Sequence, residues 1–384
     1  MVRLDKKLFL PLSLFCSISS ALAQVSSPAS DVATSLSQSP AGPSSFLQSL
    51  SIGARVHYGS FIANVPKLQY VKNGYTVLGE LDVSSQTTGT RSWQQSSNYP
   101  EIGMALLYGQ TGASEYIGHM AALLPFMNFH LYETGGISAN LRLALGPAWV
   151  EKPFNAETNY ENLVIGSHLN ACLNILLSTS VRILPRTDLD IGFSFTHVSN
   201  GSFTLPNLGL NIPSFSAGLK YELFPTQRRI HKVLPPMKKK INYYFFTAVA
   251  GKESLPLESA VYLVNVFNVE ALKDFSRTGR FGFGINMTLD RANSIEVPYS
   301  AIFAFDKSMS HWEAAVYGVY EYVIGDLSFP LQVGYYLYNN YPVSSIYETA
   351  GVKYRFAPHW CAGFALKAHL GNGDFIQWGL GYKF

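Results

Sequence analysis

Residues 190–224 read DIGFSFTHVSNGSFTLPNLGLNIPSFSAGLKYELF. Written as a strand, the first part sets Leu189, Ile191, Phe193, Phe195, His197 and Ser199 on one face. Asp190, Ser194, Thr196 and Asn200 fall on the other, because strand side chains alternate with period two. The apolar face therefore carries a histidine and a serine at its end. In a water-soluble domain that face would be core, and the pair would be satisfied by backbone. If the face looks at lipid instead, a base and a hydroxyl are presented to a molecule lying in the membrane.

The N-terminus supplies the membrane context. Arg3, Lys6 and Lys7 precede the apolar run Leu8 to Cys16, and Ala21-Leu22-Ala23 makes a small-x-small cleavage site, the pattern of a bacterial secretory signal. We therefore read residues 1–23 as a signal peptide without a lipid anchor, since Phe15 stands where a lipoprotein needs a small residue before Cys16. Residues 24–45, rich in Ser, Ala and Pro, read as a disordered lead-in. Composition agrees with export to a membrane: 47% hydrophobic, 14% aromatic and only 14% charged, against about 25% charged in an ordinary soluble domain. After the signal no apolar run reaches the ~18 residues of a spanning helix. A closed β-barrel is the remaining way to satisfy every backbone group in lipid. The net charge of +3 gives no reason to expect a nucleic-acid partner.

The rest of the chain is strand material. Ile376, Trp378, Leu380, Tyr382 and Phe384 alternate with Gln377, Gly379, Gly381 and Lys383, as in the terminal strand of outer-membrane barrels. Strands are expected at about 51–64, 74–85, 101–110, 115–132, 137–149, 161–181, 187–200 and 212–224. A second set of about eight follows, from Asn242–Gly251 through Cys361–Leu370 to the last strand. Between them residues 225–241 form a basic connector, best read as solvated. The predicted fold is thus an all-β transmembrane antiparallel barrel of bacterial outer-membrane type. Its units are 46–224 and 242–384, either two eight-stranded barrels or one of about sixteen strands. Residues 84–100 fit no short turn. Cys172 and Cys361 read as small apolar residues of strands, and His57, His119, His130 and His168 show no metal-ligand spacing.

The order Val181-Arg-Ile-Leu-Pro185 leading to His197-Val-Ser-Asn-Gly201 is loosely echoed by Tyr354-Arg-Phe-Ala-Pro358 leading to His369-Leu-Gly-Asn-Gly373. His369 has the opposite parity, beside Lys367, and Gly371 stands where the first half has Ser199. With a periplasmic N-terminus, the seventh strand ends at the external rim. Asn211, on the returning strand, shares the outward face and can approach His197.

The motif His197-Val198-Ser199-Asn200-Gly201, followed by Pro206-Asn207-Leu208-Gly209 and one further strand, resembles the outer-membrane lipid A 3-O-deacylases, or acyloxyacyl hydrolases. The resemblance covers about 45–224 and is strongest over 165–224. It implies an eight-stranded barrel with a serine-esterase site on its lipid-facing wall, needing no cofactor and no metal, acting on lipid A of lipopolysaccharide in the outer leaflet. By motif, Ser199 is the nucleophile and His197 the general base. Asn207, with backbone groups around Asn200, Gly201 and Ser202, supplies the oxyanion donors. The family places an acid where Asn211 stands, so this residue can orient the imidazole but brings no charge. The alternatives are a channel or transport barrel, suggested by the extra strands, and a non-catalytic descendant of the esterase, suggested by Asn211.

Overall fold

The computed structural model describes residues 49–63, 66–224, 228–254, 260–293, 311–339 and 344–384. The expected signal peptide and lead-in lie outside the described residues. Among the described residues, sixteen strands form two closed antiparallel barrels of eight each. The first comprises β1 (Leu50–Gly59), β2 (Thr76–Gln86), β3 (Glu101–Thr111), β4 (His119–Thr134), β5 (Ile137–Val150), β6 (Leu169–Leu184), β7 (Thr187–Ser199) and β8 (Leu210–Glu222). The second comprises β9 (Ile241–Glu253), β10 (Val261–Asp274), β11 (Gly279–Asp290), β12 (Trp312–Ile324), β13 (Leu327–Asn339), β14 (Ile346–Arg355), β15 (Trp360–His369) and β16 (Asn372–Lys383).

Closure decides between the two architectures the sequence left open. β8 returns to β1, with Ala54 opposite Leu219, and β16 returns to β9, with Trp378 opposite Val249. One sixteen-stranded barrel is thereby excluded. Residues 228–240 between the barrels carry no helix or strand.

The alternation read from the sequence holds in both barrels. On β7, Ile191 and Phe193 are exposed on the outer wall while Asp190, Ser194 and Thr196 are buried inside. On β16, Trp378 and Leu380 face out and Gln377 faces in. Each large apolar side chain that hydrocarbon covers in place of water contributes roughly 1.5–3 kcal/mol. Among the described residues no helix is long and apolar enough to cross a membrane.

The interiors are packed with side chains, apart from a cavity of about 460 Å³ in the polar half of the first barrel, lined by Arg55, Glu101, Asn140 and Lys220. In the first barrel, the half next to the β7–β8 loop is apolar, with Leu78, Leu107, Met120, Leu124, Val198 and Leu210 fully buried. The other half is polar: Glu80 accepts both amino groups of Arg142 at 2.6 Å and a His57 ring nitrogen lies 3.2 Å away. Arg55 pairs with Asp190 at 2.9 Å. In the second barrel Lys353 bonds Glu270, Arg280 reaches Glu321 at 3.0 Å and Lys367 reaches Glu313 at 2.7 Å. Side chains fill an eight-stranded barrel in this way, and the transport reading loses the wide lumen that motivated it.

One local expectation needs correction, and one segment left unplaced is now located. The strand expected from residue 161 starts at Leu169. Leu163, Val164 and Ile165 look strand-like because they are apolar, yet they belong to a loop whose Val164 and Ile165 cap the barrel core. The unplaced segment 84–100 extends β2 and then forms a short helix, α1 (Ser92–Ser96), at the end of the barrel away from the β7–β8 loop.

Candidate active site on the outer wall

β7 ends at Ser199 and β8 begins at Leu210, so residues 200–209 form the loop above the motif. His197 pairs directly with Asn211 across the two strands. Opposed residues share a face, and both follow the outward parity of Phe193 and Phe215. His197 Nδ1 lies 2.6 Å from Asn211 Oδ1. An amide oxygen can only accept, so Nδ1 carries the proton and Nε2 keeps its lone pair. The backbone of Asn211 is pinned in turn, its carbonyl accepting the Ile62 N–H at 2.9 Å.

Two donors converge on the serine. Asn207 Nδ2 donates to Ser199 Oγ at 2.8 Å, and the Gly201 N–H donates to the same oxygen at 3.2 Å. The other end of the Asn207 amide accepts the Asn200 N–H at 3.2 Å. Asn200 therefore orients Asn207 through its backbone instead of offering that N–H to a substrate. Its side chain braces the loop, donating to Ser167 Oγ and to the Thr204 carbonyl, both at 2.9 Å. Ser202 turns away, its hydroxyl donating to the Gly373 carbonyl of the second barrel at 3.0 Å. Among the described residues no hydrogen bond joins His197 to Ser199. Two residues apart on one strand face, they stand side by side, and bonds of this kind often close only around substrate.

Two glycines are needed for this shape. Gly201 has φ +62°, and a Cβ there would lie 2.3 Å from Ile376 Cγ1. Gly209 has φ +79°, and its Cβ would lie 2.9 Å from the His197 ring. Only glycine combines the left-handed backbone with so close an approach.

The sequence reading missed the loop that supports this one. Leu208 and Gly209 donate their N–H groups to the carbonyls of Leu163 and Val164 at 3.3 and 3.0 Å. That supporting loop is itself turned by the buried Asn162, whose Oδ1 accepts from Val164 and Ile165. The other histidines are absorbed structurally: His119 sits 2.9 Å from Glu151, His130 between Asn140 and Gln86, and His168 on the Val150 carbonyl. Cys172 and Cys361 are free and buried. Among the described residues no cluster of His, Cys, Asp or Glu has the makings of a metal site.

Residues 79–220 match the family model described as lipid A 3-O-deacylase (PagL). The first barrel thus carries the match to the lipid A 3-O-deacylase model. Residues 241–384 match the model described as the C-terminal domain of acyloxyacyl hydrolase, so the kinship extends to the half that the motif reading left out. The outer membrane enzyme PagL is similar at 18% identity and TM-score 0.30, covering 44% of this chain and 98% of that one. Neisserial surface protein A is similar at 9% identity and TM-score 0.33, with 45% and 97% covered. A KdgM porin shows 8% identity and TM-score 0.19, with 87% and 99% covered. No curated protein matches the sequence. With its apolar outer wall and these two family matches, the chain is an integral protein of the bacterial outer membrane.

Proposed function

We propose that the chain is a serine esterase that removes the ester-linked acyl chain at the 3-position of lipid A, working from the outer leaflet. Ser199 Oγ attacks the acyl carbon while His197 Nε2 takes its proton. The carbonyl oxygen, now negative, comes within reach of Asn207 Nδ2 and the Gly201 N–H. Collapse releases the sugar hydroxyl, which takes the proton back from His197, and water then hydrolyses the acyl-serine by the same route. Confinement of both partners to one bilayer supplies proximity, and the ester need not leave the membrane.

The single observation that carries this reading is the meeting of two N–H donors on Ser199 Oγ, with an imidazole of fixed tautomer two residues away on the same strand, the serine buried beneath its loop at the end of the face that carries Ile191 and Phe193. Loop lengths favour the external end, since outer-membrane barrels keep short periplasmic turns: the β1–β2, β5–β6 and β7–β8 loops are long where the β4–β5 and β6–β7 turns are short, with the β2–β3 connection at residues 87–100 the exception at that end. Mass spectrometry of lipid A from cells making wild type or Ser199→Ala tests it. Loss of one ester-linked chain with wild type alone is expected, and identical patterns would sink the reading. The neutral Asn211 favours a second reading, a site that holds lipid A without cutting it. Covalent labelling of Ser199 by a fluorophosphonate separates the two, because only an activated serine reacts.

A further inference from the structure

The loop that carries the donors is held from two sides, and one of them is the second barrel. At the top of β9, the Glu253 N–H donates to the Ser202 carbonyl at 3.1 Å. The Glu253 carboxylate accepts the Leu205 N–H at 2.6 Å. The start of β16 adds the Gly373 carbonyl, which accepts from Ser202 Oγ, and Ile376, whose side chain lies against Gly201. Phe203 packs its ring over Gly251 of β9. These contacts fall at and between the two positions that matter: Gly201, which donates to Ser199 Oγ, and Asn207, two residues beyond Leu205.

A loop in which Gly201 and Ser202 both hold positive φ, +62° and +60°, is costly to maintain without outside support, because a non-glycine residue in that region is strained. Glu253 supplies the support twice over, gripping the loop before and after Phe203. We propose that the second barrel completes the active site of the first by bracing the donor loop, with Glu253 as the positioning residue. This rests on the esterase reading above. It gives the second barrel a task in the chemistry of the first, and it ties the two domains into one catalytic unit.

The test uses the full-length chain in mixed micelles with hexa-acylated lipid A, reading kcat and KM separately alongside fluorophosphonate labelling. Glu253→Ala is expected to lower kcat roughly ten- to a hundredfold, the scale of a small misplacement of catalytic groups, with KM changed little. Glu253→Gln keeps an oxygen acceptor for the Leu205 N–H and is expected to restore most of kcat. A loss of kcat shared equally by the alanine and glutamine variants, or kcat of wild-type size in the alanine variant, overturns the brace. Should Glu253→Ala fail to assemble, Ile376→Ala, which removes only the packing on Gly201, is read the same way: lowered kcat at unchanged KM supports the proposal, and an unchanged kcat overturns it. A wild type that neither cleaves lipid A nor labels at Ser199 removes the esterase reading itself, and the brace with it. A wild type that does both, beside an unaffected Glu253→Ala, removes only the brace.

Discussion

β7 of the first barrel and β15 of the second occupy the same place in their strand orders, and each carries a histidine in its last three residues, yet the two histidines look in opposite directions. His197 faces the outer wall, its Nδ1 on Asn211. His369 faces the interior, with Tyr336 Oη 2.8 Å from its Nε2 and Lys367 buried on the same face. Ser199 has Gly371 as its counterpart, and the loop of residues 200–209 is replaced by a tight turn at Leu370 and Gly371. A shift of one residue exchanges the two faces of a strand, so a single step of parity separates a histidine free for chemistry from one absorbed in a packed interior. The first barrel keeps an outward histidine, a hydroxyl and the loop bearing Asn207 together; the second has neither that hydroxyl nor that loop at the corresponding place, while its rim touches the loop of the first.

The largest expected effect tests that contrast directly. Ser199→Ala is expected to lower deacylation by about 10⁴-fold or more, since removing the nucleophile of a serine triad leaves only the contribution of binding and the oxyanion donors. Peptide mapping after fluorophosphonate treatment is expected to find the adduct at Ser199 and none within residues 241–384. An adduct in the second barrel would erase the distinction between the two.

The polar interiors provide the next comparison. Glu80→Ala takes both 2.6 Å carboxylate bonds from Arg142 and leaves it the neutral Asn174 Oδ1 at 3.2 Å and the Phe126 ring at 5.0 Å; a buried charge left without its partner costs about 3–5 kcal/mol. Glu270→Ala strands Lys353 less completely. Glu321 remains 3.7 Å away and the ammonium lies 5.7 Å from the centres of the Tyr244 and Phe246 rings. Urea unfolding in detergent is expected to show a larger fall in stability for Glu80→Ala than for Glu270→Ala. The reverse order would mean that the second barrel depends more on its ion pairs than its aromatic lining suggests.

Within the site, Asn207→Ala removes one of the two donors on Ser199 Oγ. A donor of this type is worth about 2.7–4 kcal/mol in the transition state, or roughly 10²–10³ in kcat. Asn200→Ala leaves its backbone N–H on Asn207 and removes only the bonds to Ser167 and Thr204, so a smaller loss of kcat is expected. Equal losses in the two variants would show the loop acting as a scaffold alone.

What the sequence disclosed and what it hid follow from the range of the forces involved. Strand alternation is local, so the faces of His197, Asn211, Trp378 and even the inward turn of His369 were legible from parity. Closure is not local: whether Phe224 ends a barrel depends on β8 finding β1 across the whole first half of the chain, and no nearby residue announces it. Leu163 to Ile165 misled because an apolar triplet can end a core as well as form a strand. Glu253 and Ile376 carry no signal at all, since their meaning lies in contact with Gly201 and Leu205, far away in sequence.

The smallest effect expected is also the most informative about Asn211. In serine triads the acid does two things: it fixes the imidazole tautomer and it stabilises the imidazolium. Asn211 already performs the first, its Oδ1 receiving the Nδ1 proton at 2.6 Å, so Asn211→Glu can add only the second. The gain is therefore expected to be modest, roughly tenfold in kcat, well below the loss of about 10⁴ seen when a triad acid is replaced and the tautomer goes wrong as well. The backbone bond from Ile62 to the residue 211 carbonyl is untouched by the exchange, which keeps the strand in place while the side chain changes. Measured on lipid A in mixed micelles, a rise in kcat with steady KM would show that charge is what the native site lacks. An inactive parent restored by Asn211→Glu would make the first barrel a lapsed esterase one charge short of function, and an inactive parent left inactive would place it beside the second barrel as a fold that has kept the shape of the site and lost its chemistry.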